Sequence, residues 1–209
     1  MSQTLVLPVS ILSYPNLFEP RAYKNKGIPK YSAAQVLVDD DTLLPLKQAI
    51  SAVAIERMGD KAKAVLMGNP PIHSREEALA KGYPEGSVYI NAKSTRQPGI
   101  VSRYKDPTTG KPLVITEEMA TLPGGPYEMY PGVRVKAYVS VYAYPDGDGI
   151  AFGLEGLQRW DEGERLDGRV APADVFDGEM PDEADLGDIM AGGEEAVTEE
   201  AEDPIASIL

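Results

Sequence analysis

The sequence predicts a mainly β domain whose sheet curls toward a barrel, with one main helix, long irregular connections and an acidic C-terminal tail. Three observations predict it. Val133 to Tyr144, VRVKAYVSVYAY, alternates along its whole length, and a strand is the structure that sends alternate side chains to opposite faces. Pro145, Asp146, Gly147, Asp148 and Gly149 then make a tight reversal. Ile150 to Trp160, IAFGLEGLQRW, returns as the hairpin partner, and its Gly153 and Gly156 suit the bends that curl a sheet. Third, one long stretch keeps helical spacing: Leu43, Leu46, Ala49, Ile50, Val53 and Ala54 recur on one face of a helix from about Thr42 to Met58.

In chain order, Thr4 to Leu12 is apolar enough for a first strand, with Pro8 confining it to an edge, a bulge or a break. Ser13 to Tyr31 is rich in turn formers and reads as a loop. It sets Arg21, Lys24, Lys26 and Lys30 against Glu19, among Tyr14, Phe18, Tyr23 and Tyr31. Tyr31 to Val38 is a strand. Asp39, Asp40 and Asp41 follow; three consecutive carboxylates do not converge on one ion, and they serve better as cap and dipole partners of the helix. Pro45 suits the first turn of that helix and Gly59 the position past its end. Gly59 to Gly86 reads as irregular, with a short helix near Ser74 to Lys81 capped by Ser74 and followed by Gly82. Ser87 to Lys111 continues as strand into a turn at Asp106 to Gly110, and Leu113 to Gly132 is a connection.

The central strand has two unlike faces. Val133, Val135, Ala137, Val139, Val141 and Ala143 form an apolar surface suited to a core, whereas Arg134, Lys136, Tyr138, Ser140, Tyr142 and Tyr144 put two cations and three rings on the other side. Cations for phosphates beside rings for bases are what a single-stranded nucleic-acid platform needs. The stretch from Tyr89 to Lys111 repeats this chemistry, with Lys93, Arg96, Arg103, Lys105 and Lys111 against Asp106 alone, and with Tyr89 and Tyr104 as rings.

Catalysis and metal binding find little support. The chain has no cysteine, so disulfides and thiolate sites are excluded and a reducing cytoplasm fits. His73, the single histidine, has no Ser, Cys or acidic partner at a meaningful spacing and reads as a surface or packing residue. Gly110 and Lys111 are followed by Pro112 where a phosphate-binding loop needs Ser or Thr, and the reversal after Tyr144 puts Ile150 where a calcium loop needs a ligand. Neither enzyme activity, metal nor cofactor is expected. The start, MSQTLVLPVS, lacks the features of a signal peptide, and no apolar run is long enough for a membrane span.

Charge divides the chain at about residue 173. The net charge is −13, yet all 13 acids in excess lie between Asp174 and Leu209, which hold no Lys or Arg; residues 1–173 carry 20 acids and 20 bases. Residues 1–173 are expected to be the folded domain. Residues 174–209 have the composition of a disordered interaction tail, and they end in a short apolar tip containing Asp203, Pro204, Ile205, Ile208 and Leu209. A flexible segment of that length spans about 30 to 35 Å, twice the ~16 Å radius of gyration of such a body. The tail is therefore expected to compete with a polyanion for the basic face.

Four runs, taken in order, resemble the bacteriophage single-stranded DNA-binding proteins with acidic C-terminal tails: SYPNLFEPRAYKNKGIPKYS, YINAKSTRQPGIVSR, GVRVKAYVSVYAY with its DGDG turn, and GIAFGLEGLQ before Gly163 and Arg169. The resemblance covers roughly residues 10–177 and, in kind, the tail. It implies an OB-fold, a five-stranded barrel gripping single strands in a basic, aromatic groove during phage replication, recombination and repair, with the tail contacting replication proteins. Carried over position by position, it points to Tyr31, Lys93, Arg96, Arg103, Arg134, Lys136, Tyr138 and Tyr142. The chain departs from the family at its end, where relatives commonly finish in an aromatic residue and this one has Leu209. Self-association is left open. The alternative is a phage structural or assembly protein whose tyrosine-rich sheet face is a protein interface, since Tyr and Arg are favoured there too.

Overall fold

The computed structural model describes residues 2–22, 27–38, 43–147 and 149–168. In chain order they form β1 (Gln3–Arg21), β2 (Lys30–Leu37), α1 (Leu43–Met58), α2 (Ala62–Gly68), α3 (Arg75–Ala80), β3 (Val88–Ser94), β4 (Gly99–Lys105), β5 (Pro112–Val114), α4 (Glu117–Thr121), β6 (Arg134–Ala143) and β7 (Ile150–Asp161). The strands lie in the order β3-β2-β1-β6-β7-β4-β5. β3 also pairs with β7 in parallel, through Ala92 with Phe152 and Lys93 with Gly153, so β1, β2, β3, β7 and β6 close the five-stranded barrel of an OB-fold. Past that seam, β7 continues alongside β4, from Gly99 with Gly156 to Ser102 with Arg159, and β5 adds a short edge.

β1 is long because it serves two neighbours. Residues from Gln3 to Ile11 pair with β6, and those from Ile11 to Arg21 pair with β2. Pro8 sits in the register shift between Val6 and Val9, the bulge at which its missing N–H costs least. A second shift lies between Ser13 and Asn16, where Tyr14 takes φ 45°. The expected loop from Ser13 is thus strand as far as Arg21: turn-forming residues here bend a strand without ending it.

The apolar face of β6 is the centre of the core. Val133, Val135, Ala137, Val139 and Val141 are fully buried, among Leu7, Leu12, Leu37, Ile90, Phe152, Leu154 and Leu157. α1 packs on β6, β1 and β7, and its buried residues are Leu43, Leu46, Ala49, Ile50, Val53 and Ala54, the six that helical spacing selects. Gly59, at φ +56°, follows its last residue. Asp39, Asp40 and Asp41 lie outside the described residues.

Three elements contradict the irregular connections expected from the sequence. These are α2 between Gly59 and Pro70, and β5 and α4 within 112–132; the strand expected from Ser87 to Lys111 is present as two, broken at 95–98. The Thr116 side chain accepts the Met119 N–H to start α4. α3 is the short helix expected, opened by a reciprocal capping box between Ser74 and Glu77 and followed by Gly82 at φ +76°. It roofs the outer face of β2 and β3, where Ala78 and Tyr83 pack with Ala34, Val36 and Tyr89.

Residues 162–168 cross back over the barrel and are clamped there. The Arg165 guanidinium makes two bonds to the Glu128 carboxylate, at 2.9 and 3.1 Å, reaches Asp167 at 3.3 Å and stacks 4.3 Å from the Tyr130 ring. Gly132 is required here: at φ +115° a Cβ would run into the Glu164 carbonyl oxygen. Among the described residues, no helix is long and apolar enough to cross a membrane.

Candidate nucleic-acid interface

β6 turns Arg134, Lys136, Tyr138, Tyr142 and Tyr144 away from the core. Arg134 is exposed, Lys136 and Tyr142 are half-buried, and Tyr138 and Tyr144 are each 44% exposed. At about 3.3 Å per residue, the ten steps from Arg134 to Tyr144 run along about 33 Å of barrel. The face is not uniform. Ser140, in its middle, is buried, and its hydroxyl donates to Glu155 Oε1 at 2.6 Å. Gly153 lies opposite, where a Cβ would collide with Ser140 Oγ. The face therefore divides into two ends.

The end at the β6–β7 turn is a groove of about 290 Å³. It is lined by Tyr142 and Tyr144, by Pro70, Pro71 and His73, and by Lys30, Asn91 and Lys93, with β7 residues 150–152 at the seam. The two phenol rings meet edge to face, 6.4 Å apart. Burial, with Tyr144 and Glu155 adding to it, raises the Tyr142 phenol above its ordinary value, so it stays neutral. Lys93 is exposed and Lys30 half-buried, so the groove couples two ammonium groups to rings and amide chemistry.

The other end is a shallow trough of about 280 Å³ lined by Val6, Gly99, Val101, Lys136, Tyr138, Gly156, Leu157 and Gln158. The Lys136 ammonium rests 3.7 Å from the centre of the Trp160 ring. Arg103 donates to the Tyr104 hydroxyl at 2.6 Å and to Asp161 at 3.4 Å, and the Tyr104 contact chiefly raises its pKa. Tyr104 is 56% exposed and Lys105 is exposed at the end of β4. Arg96 is exposed on the turn between β3 and β4.

Tyr31, half-buried and opposite Ser94, shares the alternation of core residue Ala33 at the end of the barrel. Tyr89 departs from the expectation of a free ring. It is 4% exposed, stacked on His73 at 4.2 Å and edge-on to Tyr83 at 5.4 Å. It lies on the outer face of β3 with Ala78 and Tyr83 packed around it and His73 stacked on it. Asp203, Pro204, Ile205, Ile208 and Leu209 lie outside the described residues, as do Tyr23, Lys24 and Lys26.

Residue patterns alone missed His73, Asn91, Pro70 and Pro71 as parts of the groove, and, against the expectation of no acidic partner, His73 Nδ1 lies 3.2 Å from Glu77 one helical turn on. Asn91 was legible in principle, two positions before Lys93 on the same strand face. The loop residues were not, because only tertiary packing brings 69–73 across β3. No group of three or more His, Asp or Glu suited to a metal occurs among the described residues.

Known proteins share this architecture. In structure, the chain is similar to the single-stranded DNA-binding protein from bacteriophage Enc34 in complex with ssDNA, with a TM-score of 0.57 at 18% identity over 78% of this chain and 88% of that one. A second structure of the single-stranded DNA-binding protein from bacteriophage Enc34 gives 0.54 at 20% identity, over 83% of this chain and 89% of that one. In sequence, it is 27% identical over 176 residues to protein p50 of Acyrthosiphon pisum secondary endosymbiont phage 1, covering 79% of this chain and 88% of that one. A family model described as Enterobacter phage Enc34, ssDNA-binding protein, matches residues 4–187. With the closed barrel, the two-faced β6 and a family match over most of its length, the chain belongs to the Enc34 phage single-stranded DNA-binding protein family.

Proposed function

We propose that this protein binds single-stranded DNA without dependence on a particular sequence and serves phage DNA replication, recombination and repair. The observation that carries the reading is the open groove in which Lys30 and Lys93 stand beside Tyr142 and Tyr144, between the barrel loops where OB-folds take oligonucleotides. Phosphates meet the ammonium groups, and bases lie against the phenols. Lys136, Tyr138, Arg134, Arg103, Tyr104, Lys105 and Arg96 extend the path along β6, β7 and β4, and Tyr31 follows Lys30 beside the groove. The acidic segment Asp174 to Leu209 competes for these cations. Its tip, Asp203, Pro204, Ile205, Ile208 and Leu209, contacts replication proteins.

Binding of a labelled single strand across a salt series, with duplex DNA as competitor, tests this. The expected result is single-strand binding that weakens with salt by about 0.7 log units per phosphate contact for each log unit of salt. Absence of binding at low salt defeats the reading.

A second reading is favoured at the Tyr138 end by its neighbours. Val6 is 61% exposed and pairs with Tyr138, Val9 is 37% exposed, and Val114 is 63% exposed opposite Val101. Valines beside a tyrosine suit a protein interface better than a phosphate path. If Tyr138→Ala leaves DNA affinity intact but lowers the sedimenting mass of the protein, that end is an interface.

A further inference from the structure

We propose that the groove beside Tyr142 and Tyr144 favours bases carrying an exocyclic amino group over thymine or uracil, read by the side-chain carbonyl of Asn91. The inference rests on single-stranded DNA binding in that groove and adds a base preference to it. Glu77 sets the polarity. Its Oε2 accepts the Ser74 backbone N–H at 2.9 Å and lies 3.2 Å from His73 Nδ1. The Ser74 N–H, with His73 beside it, holds the Glu77 carboxyl below its ordinary value, so the group is ionised and can only accept.

The proton of a neutral His73 therefore sits on Nδ1, and Nε2 is an acceptor. Asn91 Nδ2 lies 2.9 Å from Nε2 and donates to it. The ring cannot swing away easily, because it lies flat on Tyr89 at 4.2 Å with 6° between planes. With its amide nitrogen engaged, Asn91 offers the groove an oxygen. That side chain is exposed on β3 and lines the groove together with Lys30, Lys93, Tyr142 and Tyr144. The groove volume of about 290 Å³ is that of about ten waters at ~30 Å³ each, room for one base and its sugar.

A base stacked there meets an acceptor. Cytosine brings its N4 amino group and adenine its N6 amino group as donors, whereas thymine and uracil have O4 at that position and their one donor, N3–H, is flanked by two carbonyl oxygens that repel the Asn91 oxygen. Phosphate contacts and stacking do not depend on this bond, so the preference modulates binding without making it sequence-specific.

Oligo(dC) and oligo(dU) of about 10 nucleotides, within the span of one OB-fold, test the contact, since both lack the thymine methyl and differ in the N4 amino group beside a bare N3 of cytosine against the O4 oxygen beside N3–H of uracil. Anisotropy titrations of the full chain at mildly alkaline pH are expected to give oligo(dC) the tighter binding by about 2- to 10-fold, the weight of one neutral hydrogen bond. Asn91→Leu removes the acceptor, and His73→Phe keeps a ring on Tyr89 while releasing Asn91. Both are expected to bring the dC-to-dU ratio toward that of the bare stacking difference, with the salt dependence unchanged and thermal melts confirming folded protein. A ratio identical in the parent and both variants overturns the proposal while leaving DNA binding intact. Failure of the parent to bind either strand sinks the DNA-binding reading, and the base preference with it.

Discussion

Tyr144 and Lys93 face the same groove but are expected to fail differently when removed. Stacking is short-ranged and indifferent to dissolved salt, so Tyr144→Ala is expected to weaken single-strand binding by roughly 1 to 3 kcal/mol at every salt concentration. The Lys93 ammonium acts by displacing condensed counterions. Lys93→Ala is therefore expected to reduce the slope of log affinity against log salt by about 0.7, with the largest loss at low salt. Paired salt titrations check both, and parallel curves for the two variants would contradict this division of labour. Lys136 is a different case from Lys93, because its ammonium already rests on Trp160 and a phosphate must compete with the ring.

At the scale of elements, α1 carries the clearest consequence of packing. Leu46 is fully buried where α1 meets the barrel, so Leu46→Ala is expected to cost about 2 to 5 kcal/mol of stability in a denaturant titration. α1 and β6 were legible because each repeats one period for several turns or residues, and a buried face enforces that period. Thus all six predicted apolar positions of α1 and five of the β6 valine and alanine series are buried. β1 was half legible. Pro8 announced its bulge, but no local signal told that Tyr14 would take a left-handed conformation and keep the strand going. α2, α4 and β5 are short, and propensity over so few residues is outweighed by what they pack on. Gln35 also could not be foreseen in the core, since its place depends on Ser10, 25 residues away, donating to its side-chain oxygen at 2.9 Å. In the site, alternation identified the exposed face of β6. Its division into a groove and a trough arises from Gly153, Ser140 and Glu155, which meet only through pairing.

The whole body is tied at its end by the Glu128–Arg165 pair, which makes stability depend on acid. Arg165, chiefly by hydrogen bonding, holds the Glu128 carboxyl below its ordinary value of 4.5. The contribution is therefore complete above that value and is lost as pH falls through the lower, folded-state one. Melting temperatures are expected to separate wild type from Glu128→Gln at neutral pH and to converge in acid. A constant gap would exclude this linkage. For the chain as a whole, deletion of Asp174 to Leu209 removes 13 carboxylates and no base. Single-strand affinity of the truncated form is expected to rise at low salt and to approach that of the full chain at high salt; unchanged or weaker low-salt binding counts against competition by the tail. The barrel, finally, is hooped shut between β3 and β7 by just two residue pairs, Ala92 with Phe152 and Lys93 with Gly153, and Lys93 and Phe152 both line the groove. A nucleotide seated there is laced across the fastening, so occupancy should slow amide exchange at residues 92–93 and 152–153 first, and the cargo becomes a buckle for its own container.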